Sequence, residues 1–106
     1  SCTVIVDGQA VRSCLTSAKA TQGKAITTLE GLGSSKKPGK LQKAFIDEQA
    51  VQCGYCINGM IMTATAFLAK NKNPTDAEIK EALSGNLCRC GTHQRIVAAV
   101  RRYLTA

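Results

Sequence analysis

The stretch NLCRCGTHQ, residues 86–94, contains two cysteines separated by a single arginine. A disulfide between Cys88 and Cys90 would be strained, because residues two apart do not offer the Cα separation and Cβ directions that the bond requires. A second close pair, Cys53 and Cys56, lies in VQCGYCING, residues 51–59. Such pairs are too tight to join distant segments, so they favour a site in which two sulfurs from each pair bind one metal centre.

Both cysteine pairs lie between segments that have the hydrophobic spacing of helices. The most regular of these begins just after Cys56 and predicts an amphipathic helix. Thr75 and Glu78 form a predicted capping box at the start of another. The apolar positions of the four predicted helices are Leu41, Ala44 and Phe45; Ile57, Met60, Ile61, Ala64 and Leu68; Ile79, Ala82 and Leu83; and Ile96, Ala99, Val100, Tyr103 and Leu104.

Four helices of modest length fit a compact bundle. In an antiparallel bundle, the connection between the first two helices lies at the same end as the connection between the last two. Cys53 and Cys56 fall in the former, and Cys88 and Cys90 in the latter. We therefore expect the four sulfurs to converge.

The residues before the helices indicate β-structure. CTVIV, residues 2–6, predicts a strand, Asp7-Gly8 a hairpin turn and QAVRSCL, residues 9–15, the return strand. AITTLE, residues 25–30, is a third short run of this type. Because so few strands rarely form a stable sheet alone, we interpret residues 1–30 as the closing part of a β domain. Residues 31–40, rich in Gly, Ser, Lys and Pro, predict a linker to a helical domain at 41–106.

Composition excludes some classes of function. The chain has 106 residues, a hydrophobic fraction of 44% and a net charge of +7. Its lysines are scattered and its four aromatic residues do not lie in a basic stripe, which disfavours nucleic-acid binding. No apolar run approaches the roughly 18 residues of a membrane-spanning helix.

The residues alone leave three interpretations of the cysteines open. Six cysteines in a small chain are compatible with a secreted disulfide framework, although the tight pairs argue against it. Four thiolates also suit a structural zinc site in a helical interaction module. The same four thiolates suit a [2Fe–2S] cluster, which would benefit from the backbone N–H groups of nearby helix starts.

The two motifs QCGYCINGMIM and NLCRCGTHQRI together resemble the small iron–sulfur subunit of the molybdenum hydroxylases, the xanthine oxidase and aldehyde oxidoreductase family. The resemblance is strongest to bacterial forms with a separate small subunit, such as those of nicotinate dehydrogenase and isoquinoline 1-oxidoreductase. SCTVIVDGQAVRSC, residues 1–14, is similar to the end of a plant-type ferredoxin motif. The resemblance thus implies a mainly α fold, in which a four-helix [2Fe–2S]-binding bundle follows the strand remnant of a ferredoxin-like β-grasp domain.

The resemblance also implies roles for individual residues. Cys53, Cys56, Cys88 and Cys90 would bind the [2Fe–2S] cluster of the helical domain. Cys2 and Cys14 would be the third and fourth ligands of a ferredoxin-type [2Fe–2S] cluster, whose first two cysteines would precede Ser1. Gln52 and Cys90 would contact a molybdopterin–molybdenum cofactor held by a large partner subunit. The residues themselves, apart from the resemblance, favour a solvated side chain for Arg89 over an ion pair with a cofactor phosphate or the large subunit, and a non-catalytic helix-start position for His93.

The function implied is electron transfer inside an oxidoreductase whose substrate site lies outside this chain. The large subunit would hydroxylate an N-heteroaromatic compound or an aldehyde with oxygen from water. Electrons would pass through both clusters to an external acceptor, namely a cytochrome, a flavoprotein or a quinone. A cytoplasmic location is expected, with membrane association only through partners. The alternative is the zinc-stabilised helical interaction module without a redox role.

Overall fold

The computed structural model describes residues 1–105, which form a small β-sheet followed by four α-helices. This order confirms the predicted architecture. Short 3-10 helices at Ser13–Leu15, Lys19–Thr21 and Leu29–Leu32 connect the strands and lead into the helices. The strands are β1 (Thr3–Val6), β2 (Gln9–Arg12) and β3 (Ile26–Thr27), and the helices are α1 (Lys40–Asp47), α2 (Ile57–Lys70), α3 (Asp76–Ala82) and α4 (His93–Thr105).

The sheet is built around the predicted hairpin. Asp7 and Gly8 both have positive φ angles, 47° and 84°, as the tight turn between twisted antiparallel strands requires. β1 lies in the middle of the order β2-β1-β3, antiparallel to both neighbours. The second strand ends at Arg12 instead of continuing through residue 15, because the chain turns into the 3-10 helix that carries Cys14.

The predicted linker is anchored by the first helix. Gln42 in the first turn of α1 accepts a hydrogen bond from the backbone N–H of Gly39 at 2.7 Å and donates one to the Leu29 carbonyl at 3.2 Å. Gly33 and Gly39 approach so closely that a Cβ on Gly33 would lie 2.3 Å from the Gly39 nitrogen. The absence of side chains at both positions therefore allows the linker to fold back on itself.

The main core lies between the helices, and α2 contributes to two cores. Met60 on one side of α2 is buried against α1, α3 and α4, and Met62 on the other side packs with Ile5 of β1 and Ala66. Both methionines are buried. Because β1 and β2 lie directly on α2, the sheet and the helical bundle share this helix.

The sequence signals at the third helix are confirmed in detail. Thr75 accepts a hydrogen bond from the Glu78 backbone N–H, and the Glu78 carboxylate accepts one from the Thr75 backbone N–H. Ile79 and Leu83 behind this capping box are buried, and Ala82 is half-buried. Of the helices within residues 1–105, none is both long enough and apolar enough to cross a membrane.

Candidate metal centre

The loop between α1 and α2 carries Cys53 and is fixed at its base. Gln49 has a φ of 52°, and this left-handed turn directs the chain away from α1. Ala50, the next residue, is fully buried and its backbone N–H donates to the Phe45 carbonyl at 2.9 Å. The Arg95 guanidinium of α4 donates to the Gln49 carbonyl at 3.4 Å. The loop is thereby held against the same helix that follows the CxC pair.

The loop between α3 and α4 carries Cys88 and Cys90 and is held to α2. The Asn86 side-chain amide donates to the Thr63 hydroxyl at 3.1 Å. Gly59 of α2 lies against the same asparagine, since a Cβ there would come within 2.7 Å of Asn86 Oδ1. These contacts set the position of the chain immediately before the CxC pair.

The two loops bring the four predicted ligand cysteines together as two pairs. Cys53 and Cys90 are side-chain neighbours that affect each other's thiol pKa, and so are Cys56 and Cys88. Cys88 also contributes to the pKa of Cys53, so the two pairs adjoin. All four lie among the described residues as free thiols. The two loops therefore place the four sulfurs in two neighbouring pairs, and their binding of a common metal centre stays a prediction.

Left-handed glycines direct backbone N–H groups at these sulfurs. Gly54 has a φ of 86°, and the N–H of the following Tyr55 donates to Cys53 Sγ at 3.5 Å. Gly91 has a φ of 75°, and the pKa of Cys88 is lowered by the Thr92 hydroxyl and by the Thr92 and Gly91 backbone N–H groups. Concave arrangements of consecutive N–H groups bind anions, including iron–sulfur clusters. The donors present thus fit an anionic centre held by thiolates.

The thiol pKa values differ across the site. Hydrogen bonds from the Thr92 hydroxyl and backbone N–H lower the pKa of Cys88 to about 6, so this thiol is readily deprotonated. Burial, followed by the side-chain contact with Cys88, raises the pKa of Cys56 to about 11. The backbone N–H of Tyr55 and the side chain of Cys90 lower the pKa of Cys53. A metal centre binds thiolates, so it would favour the deprotonated form of every one of them.

The pairwise arrangement bears on the choice between zinc and a cluster. Structural zinc requires four sulfurs around one ion at about 2.3 Å. Two pairs of sulfurs, each pair drawn from both loops, suit a centre with two metal atoms. This geometry favours the [2Fe–2S] interpretation.

Cys2 and Cys14 form a separate sulfur pair on the β-segment. Their sulfurs lie 3.2 Å apart, longer than the roughly 2.05 Å of a disulfide bond. The backbone N–H of Cys14 and its side chain lower the pKa of Cys2, and the contact with Cys2 raises that of Cys14. The 3-10 helix at Ser13–Leu15 produces this approach by ending β2 before Cys14.

The remaining predicted residues occupy the same end of the molecule. Gln52 and Arg89 are exposed beside the cysteines of their respective loops, and His93 is exposed as the first residue of α4. The pattern of the sequence did not single out Asn58, Asn86 or Thr92. Each is a polar residue next to a cysteine motif, which is the one signal that could have identified them.

The fold and the convergent thiols define a class of iron–sulfur-binding helical domains. Residues 28–101 match the family described as "[2Fe-2S] binding domain", and the chain belongs to this family. It is 60% identical over 102 residues to a nicotinate dehydrogenase subunit of Pseudomonas putida, a match that covers 96% of this chain and 65% of that protein. It is 50% identical over 102 residues to the alpha subunit of isoquinoline 1-oxidoreductase from Brevundimonas diminuta, covering 96% and 66% of the two chains.

A solved structure agrees with these matches. The crystal structure of quinoline 2-oxidoreductase from Pseudomonas putida 86 superposes with a TM-score of 0.90 at 42% identity, covering 99% of this chain and 66% of that one. The resemblance to the small subunits of molybdenum hydroxylases is therefore confirmed. The chain spans slightly less than two thirds, 65%, of the length of the nicotinate dehydrogenase relative.

Proposed function

We propose that this chain is the electron-transfer part of a molybdenum-containing hydroxylase that acts on an N-heteroaromatic compound or an aldehyde. The observation that carries the proposal is the convergence of Cys53, Cys56, Cys88 and Cys90 from two inter-helix loops. The names of its relatives, which include nicotinate dehydrogenase and isoquinoline 1-oxidoreductase subunits, support the substrate class. Of the two classes, the N-heteroaromatic compounds are the better supported.

The four thiolates would hold a [2Fe–2S] cluster, which supplies one-electron redox chemistry when bound. Within this chain, the side chains of the two loops fix where the sulfurs lie. The N–H groups that Gly54 and Gly91 direct at Cys53 and Cys88 balance the negative charge of the thiolates. Apolar side chains behind the loops, including Ile57 and Ala50, limit the access of water.

The sulfur pair at Cys2 and Cys14 would supply part of the ligand set of a second, ferredoxin-type [2Fe–2S] cluster. In the overall reaction, a hydroxyl group from water replaces one hydrogen of the substrate, and two electrons and two protons are released, one proton from the substrate and one from water. The electrons would leave one at a time through both sites to a cytochrome, a flavoprotein or a quinone. A short, fixed separation between the two sites favours this transfer, and Asn58 of α2 hydrogen-bonds to both residues that flank Cys2.

A large molybdopterin-binding subunit would cover the end of the bundle where the cysteines lie. Tyr55 and Leu87 are 79% and 87% exposed on the two cysteine-bearing loops, although side chains of this size normally contribute to a core or an interface. The exposed Gln52 amide and Cys90 would contact the molybdopterin at this surface. The large subunit would therefore shield both the cofactor and the loops from solvent.

The cytoplasm is the expected compartment, because thiolate centres are assembled under reducing conditions. The zinc-stabilised interaction module is the alternative function. Its support is restricted to the number and type of the sulfur ligands.

The test uses the full-length protein purified together with its large subunit. Iron, zinc, molybdenum and acid-labile sulfide are measured, and electron paramagnetic resonance spectra are recorded before and after reduction with dithionite. We expect iron with equimolar sulfide, molybdenum, and resonance signals that appear on reduction. In the Cys56→Ser variant, about half of the iron and one of the signals should be lost. Zinc in place of iron, with no signal after reduction, would support the interaction module instead.

A further inference from the structure

Thr92 is a buried polar residue that contacts a predicted metal ligand. Its side chain is only 4% exposed, and its hydroxyl oxygen lies 3.2 Å from Cys88 Sγ. Thr3, the other buried polar residue among those described, has its hydroxyl occupied by Arg12 at 2.7 Å. The Thr92 hydroxyl is therefore directed at the sulfur site and is largely shielded from solvent.

The position of this hydroxyl is fixed by the backbone on both sides. The Thr92 carbonyl accepts a hydrogen bond from the Ile96 backbone N–H at 3.0 Å, which makes Thr92 the residue from which α4 begins. On the other side, the left-handed φ of 75° at Gly91 fixes the direction in which the chain enters Thr92. A hydroxyl held in this way has little freedom to choose another partner.

We propose that Thr92 is a positioning residue whose hydroxyl raises the reduction potential of the helical-domain centre through its hydrogen bond to Cys88. The inference rests on the proposed function, since it takes Cys88 as a metal ligand. A metal-bound cysteine is a thiolate without a proton, so the hydroxyl must be the donor. Reduction adds negative charge to the centre, and a hydrogen bond to a more negative acceptor is stronger. The bond therefore stabilises the reduced form more than the oxidised form.

The hydrogen bond from Thr92 to Cys88 comes from a side chain, so a substitution can remove it. The backbone N–H groups near Cys53 and Cys88 belong to the main chain, so the replacement of a side chain does not remove them. The Thr92 hydroxyl is removed by Thr92→Val, which keeps the branched shape and volume of the buried side chain. Thr92→Ser keeps the hydroxyl and loses a methyl group. The two variants therefore separate the hydrogen bond from the packing.

The experiment measures the reduction potential of each centre in the complex with the large subunit, by a redox titration followed with electron paramagnetic resonance. We expect Thr92→Val to lower the equilibrium constant for one-electron reduction of one centre about tenfold, which corresponds to about 59 mV. Thr92→Ser should restore most of this change. The signal of the centre at Cys2 and Cys14 should keep its potential and serves as the internal control.

Each outcome tests either the role of Thr92 or the proposed electron-transfer function on which that role depends. An unchanged potential in Thr92→Val, with both signals present, overturns the tuning role. If Thr92→Val loses the centre, Thr92→Ala and Thr92→Ser provide the same comparison. If Thr92→Ala also loses the centre, the hydroxyl is required for the structure of the site, and its proposed effect on the reduction potential is overturned. A wild-type complex without any iron–sulfur signal overturns the proposed function. This result differs from an unchanged potential in Thr92→Val, which overturns only the role of Thr92.

Discussion

The side-chain amide of Asn58 donates a hydrogen bond to the backbone carbonyl of Thr3, 3.0 Å away. The same amide donates to the Ser1 carbonyl at 2.7 Å, so it holds both residues that flank Cys2. Asn58 lies in the first turn of α2, two residues after Cys56. One side chain thus connects the sulfur pair of the β-segment to the convergent sulfurs of the helical bundle.

Replacing Asn58 with leucine should detach the start of β1 from α2. The side chain keeps a similar size, but both hydrogen bonds disappear and two carbonyl groups lose their partner. We expect the free energy of unfolding to fall by about 1–2 kcal/mol. Urea denaturation followed by circular dichroism measures this change. Asn73→Leu, at an exposed position of the loop before α3, is the matched control and should have little effect.

A second connection between the sheet and the bundle runs through Arg12. Its guanidinium donates to the Thr3 hydroxyl at 2.7 Å and to the Gly85 carbonyl at 2.8 Å, in the loop that leads to Cys88. Arg12→Met keeps the aliphatic length but leaves the buried Thr3 hydroxyl without this donor. We expect a loss of about 2 kcal/mol in the free energy of unfolding.

The control for this variant is Arg101→Met. Arg101 forms an ion pair with Asp76 in which the side chains are 41% and 62% exposed, and ion pairs with this access to solvent contribute little to stability. Thermal unfolding of the two variants, measured side by side, should show a clearly larger decrease for Arg12→Met. Equal decreases would contradict the assignment of Arg12 as a link between the sheet and the CxC loop.

The local elements of this fold were predictable because each has a strong local cause. Asp7-Gly8 suits only a tight turn, and the pairing of Thr75 with Glu78 satisfies free N–H groups at a helix start. The convergence of the cysteines was also predictable, since short connections at one end of a bundle place their residues together. These features depend on neighbours in the sequence and on the order of the helices.

The contacts that join distant segments were not predictable from the same patterns. Asn58 bonds to Ser1 and Thr3 across the chain, and Arg12 to Gly85. Polar residues of this kind satisfy the backbone of another element, and their partner depends on how the sheet packs on α2. Periodicity reports which face of a helix is buried, but it does not report which carbonyl lies opposite a given amide.

The left-handed turn at Gly91 should control how firmly the CxC loop retains its metal centre. A Cβ at Gly91 would meet no atom within 4 Å, so the cost of Gly91→Ala comes from the φ of 75° alone. We expect about 1 kcal/mol of strain, which the loop would relieve by turning its N–H groups away from Cys88. The rate of iron loss to a chelator should therefore increase.

The matched control for this variant is Gly85→Ala in the same loop. Gly85 does not have a positive φ, and a Cβ there would lie 3.6 Å from the Arg12 guanidinium, an ordinary contact distance. Gly85→Ala should therefore release iron at the wild-type rate. If Gly91→Ala also does so, the direction of the N–H groups is not what retains the centre.

The capping box of α3 should make stability depend on pH through Glu78. Hydrogen bonds from the Thr75 backbone N–H and hydroxyl, and from the Asn71 amide, lower the pKa of the Glu78 carboxyl. A carboxyl with a lowered pKa in the folded state stabilises the protein above its unfolded pKa of about 4.3, and this contribution is lost as the pH falls through the folded value. We expect Glu78→Gln to be less stable than the wild type near pH 7. The two proteins should be equally stable at a pH low enough to protonate Glu78 of the wild type in both the folded and the unfolded state. Urea denaturation of both proteins at each pH measures the difference, and comparing them at the same pH cancels the effects of other acid-sensitive groups. A difference that stays constant between pH 7 and pH 3 would show that the charge of Glu78 is not what stabilises the cap.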